Sequence, residues 1–225
     1  MDTYLTPTFF IDSAHESVAE LARSVTDPGS SDREKGVRLY YAVRDGIRYD
    51  PYAFTTDRNR FRASYLIKAG RGFCIQKAVL LAAVARSAGI PARLRFVNVI
   101  NHLTTENLKE KMKSDIFVFH GCTEMFLEGK WVKSTPAFNL SLCEKFAILP
   151  LEFDGKEDSL FHPYDREGRK HMEYIHDYGD FDDLPFDLMV RELKKYYPHL
   201  SGMIDAGNDI FAGNFEEEAM RENKG

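Results

Sequence analysis

The sequence predicts an α+β fold, with helices first and an antiparallel sheet after them. Three observations support this. Residues 78–85 read AVLLAAVA, apolar on every face, and a helix that is apolar all round is buried all round. Residues 116–127 and 130–135 are β-rich runs joined by Glu128-Gly129, a two-residue link ending in glycine that suits a tight hairpin turn. Helical patterns precede strand patterns along the chain, which argues for segregated layers rather than alternating βα units.

The elements follow in order. Ser13 and Glu16 have capping-box spacing, so a helix is expected over about 14–25, broken by Asp27-Pro28-Gly29. Ser31 and Glu34 form a second capping box. Val37, Tyr40, Tyr41 and Ile47 then recur at helical spacing, and this helix should end near Gly46. Residues 48–70 read as irregular. The alanine-rich helix starts near Cys74 and is stopped by Gly89 and Pro91. A strand is expected over 94–100, a helix over 105–113, and then the hairpin. Beyond Pro136 the pattern weakens until Asp183-Leu184-Pro185 opens a helix with an apolar stripe of Phe186, Met189, Val190, Leu193 and Tyr197. We expect a single domain over 1–205, its core motifs within about 35–140 and a C-terminal extension over 141–205, followed by a polar tail over 206–225.

The 225 residues are 44% hydrophobic and 29% charged, with a net charge of -5. A nucleic-acid partner is not expected, because no basic face is concentrated: Lys109, Lys111 and Lys113 are interleaved with Glu106 and Glu110. The longest apolar run is too short to span a bilayer. The first residues lack the charged and apolar regions of a secretory signal. Three cysteines, an odd number, do not suggest a disulfide framework. A cytoplasmic location is the expectation.

Cys74 falls at the head of the buried helix, behind Gly70 and Gly72. Unpaired N–H groups and the helix dipole at such an end stabilise an anion, whether a thiolate or the oxyanion of a tetrahedral adduct. A free cysteine before an apolar helix is also a common inert core residue, so a partner decides the matter. Of seven histidines, His15, His102, His162, His171, His176 and His199 sit in polar surroundings where a surface role is the default. His120 lies in the apolar run IFVFHGCTEMF. Alternation puts Val118, His120, Cys122, Glu124 and Phe126 on one face. A turn at Glu128-Gly129 pairs Phe126 with Trp131, Glu124 with Lys133 and Cys122 with Thr135, leaving Thr135 diagonal to His120. A thiol, an imidazole and an orienting group are the parts for nucleophilic acyl transfer.

The stretch GRGFCIQKAVLLAAVARSAGIPAR resembles the transglutaminase-like core, with its cysteine at a helix start and a G-I-P-A-R exit into a strand. HGCTEMFLEGKWVKSTPAFN resembles that core's second motif, and His120 follows Cys74 by 46 positions. The resemblance covers roughly 35–140. It implies a papain/transglutaminase-like fold and a Cys-His-Asp triad acting on amide carbons through a covalent thioester-type intermediate. Cys74 would be the nucleophile and His120 the general base and acid. The position of the usual Asp is Thr135, and the usual aromatic two residues after the histidine is Cys122. Thr135 brings no charge, so a slower enzyme or a non-catalytic binding module is the alternative, and Asn139 is a possible orienting substitute. An aromatic upstream residue often completes the oxyanion hole in this superfamily, for which Tyr52, with Tyr49 beside it, is the candidate. A peptide, protein or small amide is the implied substrate, with no cofactor. A metal is not expected: His120 and Cys122 share a strand face, but C-x-x-C and H-E-x-x-H spacings are absent. Asp180, Asp182 and Asp183 lack the spacing of a calcium loop.

Overall fold

A computed structural model describes residues 1–102, 104–146, 148–161, 172–207 and 209–222. His162 and His171 lie outside them. The first helix, α1 (Glu16–Val25), is capped by His15, whose ring accepts the Ser17 N–H at 3.3 Å. The start therefore falls two residues later than the Ser13 cap expected from the sequence. The residues before it are held in a turn, with the His15 N–H bonded to the Asp12 carbonyl, and the Asp12 side chain reaches a distant segment. Helix α2 (Asp32–Gly46) carries the expected capping box in both directions, the Glu34 N–H donating to Ser31 and the Ser31 N–H to the Glu34 carboxylate.

The segment expected to be irregular contains a short strand β1 (Arg48–Tyr49) and a helix α3 (Ala63–Ala69). No neighbouring side chain caps α3. Its cap comes from Asp12, which accepts the Ser64 N–H at 3.1 Å and hydroxyl at 2.6 Å and pairs with Arg62 at 3.0 Å. Gly70 ends the helix at a positive φ of 65°, a left-handed conformation that glycine adopts without steric cost. Strand β2 (Arg71–Gly72) then runs parallel to β1 and delivers the chain to α4 (Cys74–Ser87).

Every residue of α4 from Ile75 to Arg86 is buried. Helices α1, α2 and α3 pack on it from one side. On the other lie strands β3 (Ala92–Asn101) and, after helix α5 (Glu106–Met112), β4 (Ile116–Leu127). Three polar side chains are enclosed in α4, and each is bonded. Gln76 accepts the Phe73 N–H and donates to the Arg60 carbonyl. Arg86 donates to the carbonyls of Thr6, Ala92 and Asp182. Lys77 is wholly buried and its Nζ donates to the carbonyls of Arg44 and Ile47, at 2.8 and 2.6 Å, at the end of α2. Burial pushes its pKa down to about 7.

The sheet is antiparallel throughout. Its order is β5-β4-β3-β6, with β5 (Lys130–Ser134) and β6 (Met172–Phe181) on the edges and helix α6 (Leu140–Lys145) between them in the chain. The hairpin has the expected register, Leu127 opposite Lys130, Phe126 opposite Trp131 and Glu124 opposite Lys133. Glu128 and Gly129 both take positive φ, as the favoured hairpin turn requires. Strand β6 carries no apolar alternation in sequence because most of it is exposed on a sheet edge. Helix α7 (Phe186–Tyr196) packs on β4 and buries Phe186, Met189 and Leu193, with Phe186 against Phe10 and Phe61. Two short helices follow, α8 (Ser201–Ala206) and α9 (Phe215–Glu222). Phe215 is buried, and Glu218 on α9 bonds Tyr52, Thr105 and Asn107. Among the described residues no helix is long and apolar enough to cross a membrane.

Asp12 thus gives α3 a cap that its own sequence lacks. Asp12→Ala should lower unfolding free energy by about 1–3 kcal/mol in urea denaturation. An unchanged midpoint would show that α3 needs no external cap.

Candidate active site

Cys74 and His120 line one cavity between the start of α4, strand β4 and the C-terminal helices. About 60 Å³ of it is open to the centre of a water-sized sphere. Pro51, Phe54, Phe73 and Tyr49 wall one side; Leu193, Tyr197 and Phe211 close another.

Gly121, next to the histidine, sets the approach of strand to helix. A Cβ there would stand 3.1 Å from the Ile75 Cα and 3.2 Å from the Ala78 Cβ. Because glycine has none, β4 lies directly against the first turn of α4. The Thr123 hydroxyl fastens the contact by donating to the Ala78 carbonyl at 2.8 Å. The N–H groups of Gly121, Ile75 and Cys74 lie close enough to the Cys74 sulfur to favour its ionised form. Burial outweighs them and pushes the thiol up to about 11. The low-pKa thiol expected at a helix start is therefore not what this enclosed site holds: dehydration exceeds the pull of the dipole and the N–H groups. Burial acts on His120 in the opposite sense, lowering it to about 4. At neutral pH the site holds an uncharged thiol and an uncharged imidazole.

His120 owes its direction to a bulge. Val97 pairs with His120 but Val99 with Phe117, so β4 holds one residue more than its partner. Phe119 takes up the difference at φ 64°, an uncommon conformation for a bulky residue. Asn98 holds it there by accepting the Phe119 N–H at 3.0 Å, and the Phe119 ring packs on Phe96 and Tyr178. The bulge breaks the expected alternation between Val118 and His120. No local pattern in the sequence announces it.

The other expected site residues are distributed as follows. Thr135 is buried and shares with His120 a second, more open groove of about 400 Å³ that also includes Cys122, Lys133 and Tyr174. Among the described residues neither the Thr135 Oγ1 nor the His120 Nε2 has a hydrogen-bond partner. Asn139 is engaged elsewhere. Its Oδ1 accepts the Tyr49 N–H at 2.9 Å and its amide donates to Ser141 at 2.8 Å. It thereby fixes Tyr49 against the cavity. Tyr52 is not among the described residues lining either space. Its hydroxyl is bonded by Asn107 and Glu218. Of the acidic run, Asp180 pairs with Arg93 and Arg95, and Asp183 accepts the N–H groups of Phe10 and Ile11. Gly121 is the site residue that sequence reasoning passed over, though its place beside His120 in a β-rich run was a signal that could have found it.

The chain matches the family model described as the transglutaminase-like superfamily over residues 19–136. Among solved structures it is similar to a candidate cysteine protease from Cytophaga hutchinsonii, at 19% identity and a TM-score of 0.44, over 59% of this chain and 40% of that one. It is similar also to a candidate protease from Parabacteroides distasonis, at 14% identity and a TM-score of 0.39, over 53% of this chain and 23% of that one. The chain spans less than half the length of either. No curated protein matches it.

Two outcomes are expected. The folded state holds His120 below its ordinary pKa of 6.5, so its contribution to stability is complete above pH 6.5 and is lost as pH falls through about 4. Unfolding free energy should drop between pH 7 and 4 by about 3 kcal/mol less in His120→Gln than in wild type; parallel curves would place the imidazole in water. Gly121→Ala should destabilise by about 1–3 kcal/mol because β4 must move off α4, whereas Gly46→Ala, with nothing within 4 Å of its added Cβ, should not show that loss under the same denaturation.

Proposed function

Because the chain belongs to the transglutaminase-like superfamily, we propose that it is a cysteine-dependent hydrolase or acyltransferase that opens peptide or other amide bonds through a thioester on Cys74. The observation that carries this is the shared cavity: the thiol heading a fully buried helix opens into the same space as a strand imidazole that is a free base at neutral pH.

In this reading His120 takes the thiol proton as the sulfur attacks the carbonyl carbon. Attack from an uncharged pair suits a site in which burial opposes both charges, and the charge develops only as the adduct forms. The N–H groups of Cys74, Ile75 and Gly121 are the donors open to negative charge there. The imidazolium returns its proton to the leaving amine as the adduct collapses to the thioester. Water, or an incoming amine, then attacks the thioester with His120 again as base. Hydrolysis is the favoured outcome, since water needs no binding site of its own. Thr135 contributes packing and a neutral hydroxyl where a carboxylate would stabilise imidazolium, which predicts modest turnover. The substrate is a peptide, protein or small amide, and with three cysteines a reducing compartment such as the cytoplasm is the proposed location.

A second reading, a binding module that keeps the fold without turnover, is favoured by one observation: the His120 Nε2 and Thr135 Oγ1 are both buried and unpartnered, so the group that would orient the imidazole is not engaged.

Acylation separates the two. Incubation with an activated p-nitrophenyl acyl ester, followed by intact mass and peptide mapping, should show one acyl group on Cys74, absent in Cys74→Ala and formed about 10²–10⁴-fold more slowly in His120→Ala. If Cys74 is labelled no faster than an ordinary thiol and equally without His120, the binding-module reading stands.

A further inference from the structure

We propose that the cavity beside Cys74 selects a short, uncharged apolar acyl group, and that the C-terminal extension, not the family-matched core, sets this selection. The inference rests on the reading of Cys74 as an acyl-accepting nucleophile and names the substrate class for it.

The lining is the first ground. Apart from Cys74 and His120, the described side chains around the space are aliphatic or aromatic, none of them acidic or a lysine or arginine. The Tyr197 hydroxyl is already used twice, accepting the Val118 N–H at 3.1 Å and donating to the Ile116 carbonyl at 2.6 Å. A carboxylate or ammonium on the acyl group would be buried there with no oppositely charged side chain among the described lining residues, which costs several kcal/mol. An apolar group gains by the same burial.

Size is the second ground. A water needs about 10–15 Å³ of space measured at the probe centre. The 60 Å³ open here holds about four to six water-sized groups on that scale. An acyl chain of about four or five carbons, such as butyryl, isovaleryl or the end of a valine or leucine residue, fills it; an octanoyl chain does not fit.

The third ground is where the walls come from. The matched family region ends at residue 136. Leu193, Tyr197, Leu200 and Phe211 all lie beyond it and all line the cavity. Tyr197 anchors the end of α7 to β4 at the bulge that aims His120, while Glu218, bonded to Tyr52 and Asn107, ties α9 down beyond Phe211. The core supplies the reacting pair and the extension supplies the shape around it.

The test uses p-nitrophenyl esters that share one leaving group: acetyl, butyryl, isovaleryl, octanoyl and succinyl. Each rate of Cys74 acylation is divided by the rate of the same ester with a free thiol in solution. Butyryl and isovaleryl should exceed succinyl and octanoyl by at least tenfold. Phe211 is only partly buried, so changing it should spare the fold, which a melting curve checks. Phe211→Ala should move the preference toward octanoyl, and Phe211→Trp should narrow it toward acetyl. Both readouts are ratios within one variant, which a general loss of stability does not shift. Acylation of Cys74 by all esters at equal relative rates, or fastest by succinyl, overturns the apolar selection while leaving the nucleophile intact. A preference that neither Phe211 variant moves overturns the role of the extension. No acylation of Cys74 by any ester removes the nucleophile reading and this proposal with it.

Discussion

The site depends on how closely strand β4 lies on helix α4, and that distance is set by the missing side chain of Gly121. The contact does three things at once. It brings the histidine strand to the head of the cysteine helix, sets a strand N–H near the sulfur, and helps to bury the imidazole. The last effect is the costly one. Burial raises the thiol and lowers the imidazole, so the packing that brings both to one cavity also opposes charge on either.

The rest of the molecule serves that contact. Buried polar groups along α4 are each bonded to backbone carbonyls or amides from other elements. Such bonds hold a helix in rotation as well as position, because an enclosed donor left without its acceptor costs more than the bond itself contributes. A bulge stabilised by Asn98 turns His120 toward the same space. Distant segments of the chain converge on one small volume, and local changes there are transmitted through packing rather than through flexible linkers.

Much of this was legible in the sequence, for reasons specific to each part. Helix α4, the Ser31 cap of α2 and the β4–β5 hairpin are written in local chemistry: continuous apolar character, a hydroxyl three residues before a carboxylate, and a two-residue turn ending in glycine. The family motifs placed Cys74 and His120 on elements that do meet at one cavity. What sequence missed was long-range. Helix α3 takes its cap from Asp12, far away in the chain; α1 starts after His15 because residues 12–15 form a turn closed by the His15 N–H on the Asp12 carbonyl; and β6 is a half-exposed edge strand without an apolar period. The family resemblance offered Asn139 as an orienting group, yet the backbone of Tyr49 claims its side-chain carbonyl. The high thiol pKa was likewise invisible, because a motif shows the helix end but not the depth at which it is buried.

Lys77 stands one turn after Cys74, and its ammonium reaches across the core to two carbonyls at the far end of α2. The head of α4 is therefore held from another helix as well as from the segment that leads into it, where Gln76 donates to the Arg60 carbonyl. The helix is thus pinned at two separate places in the chain.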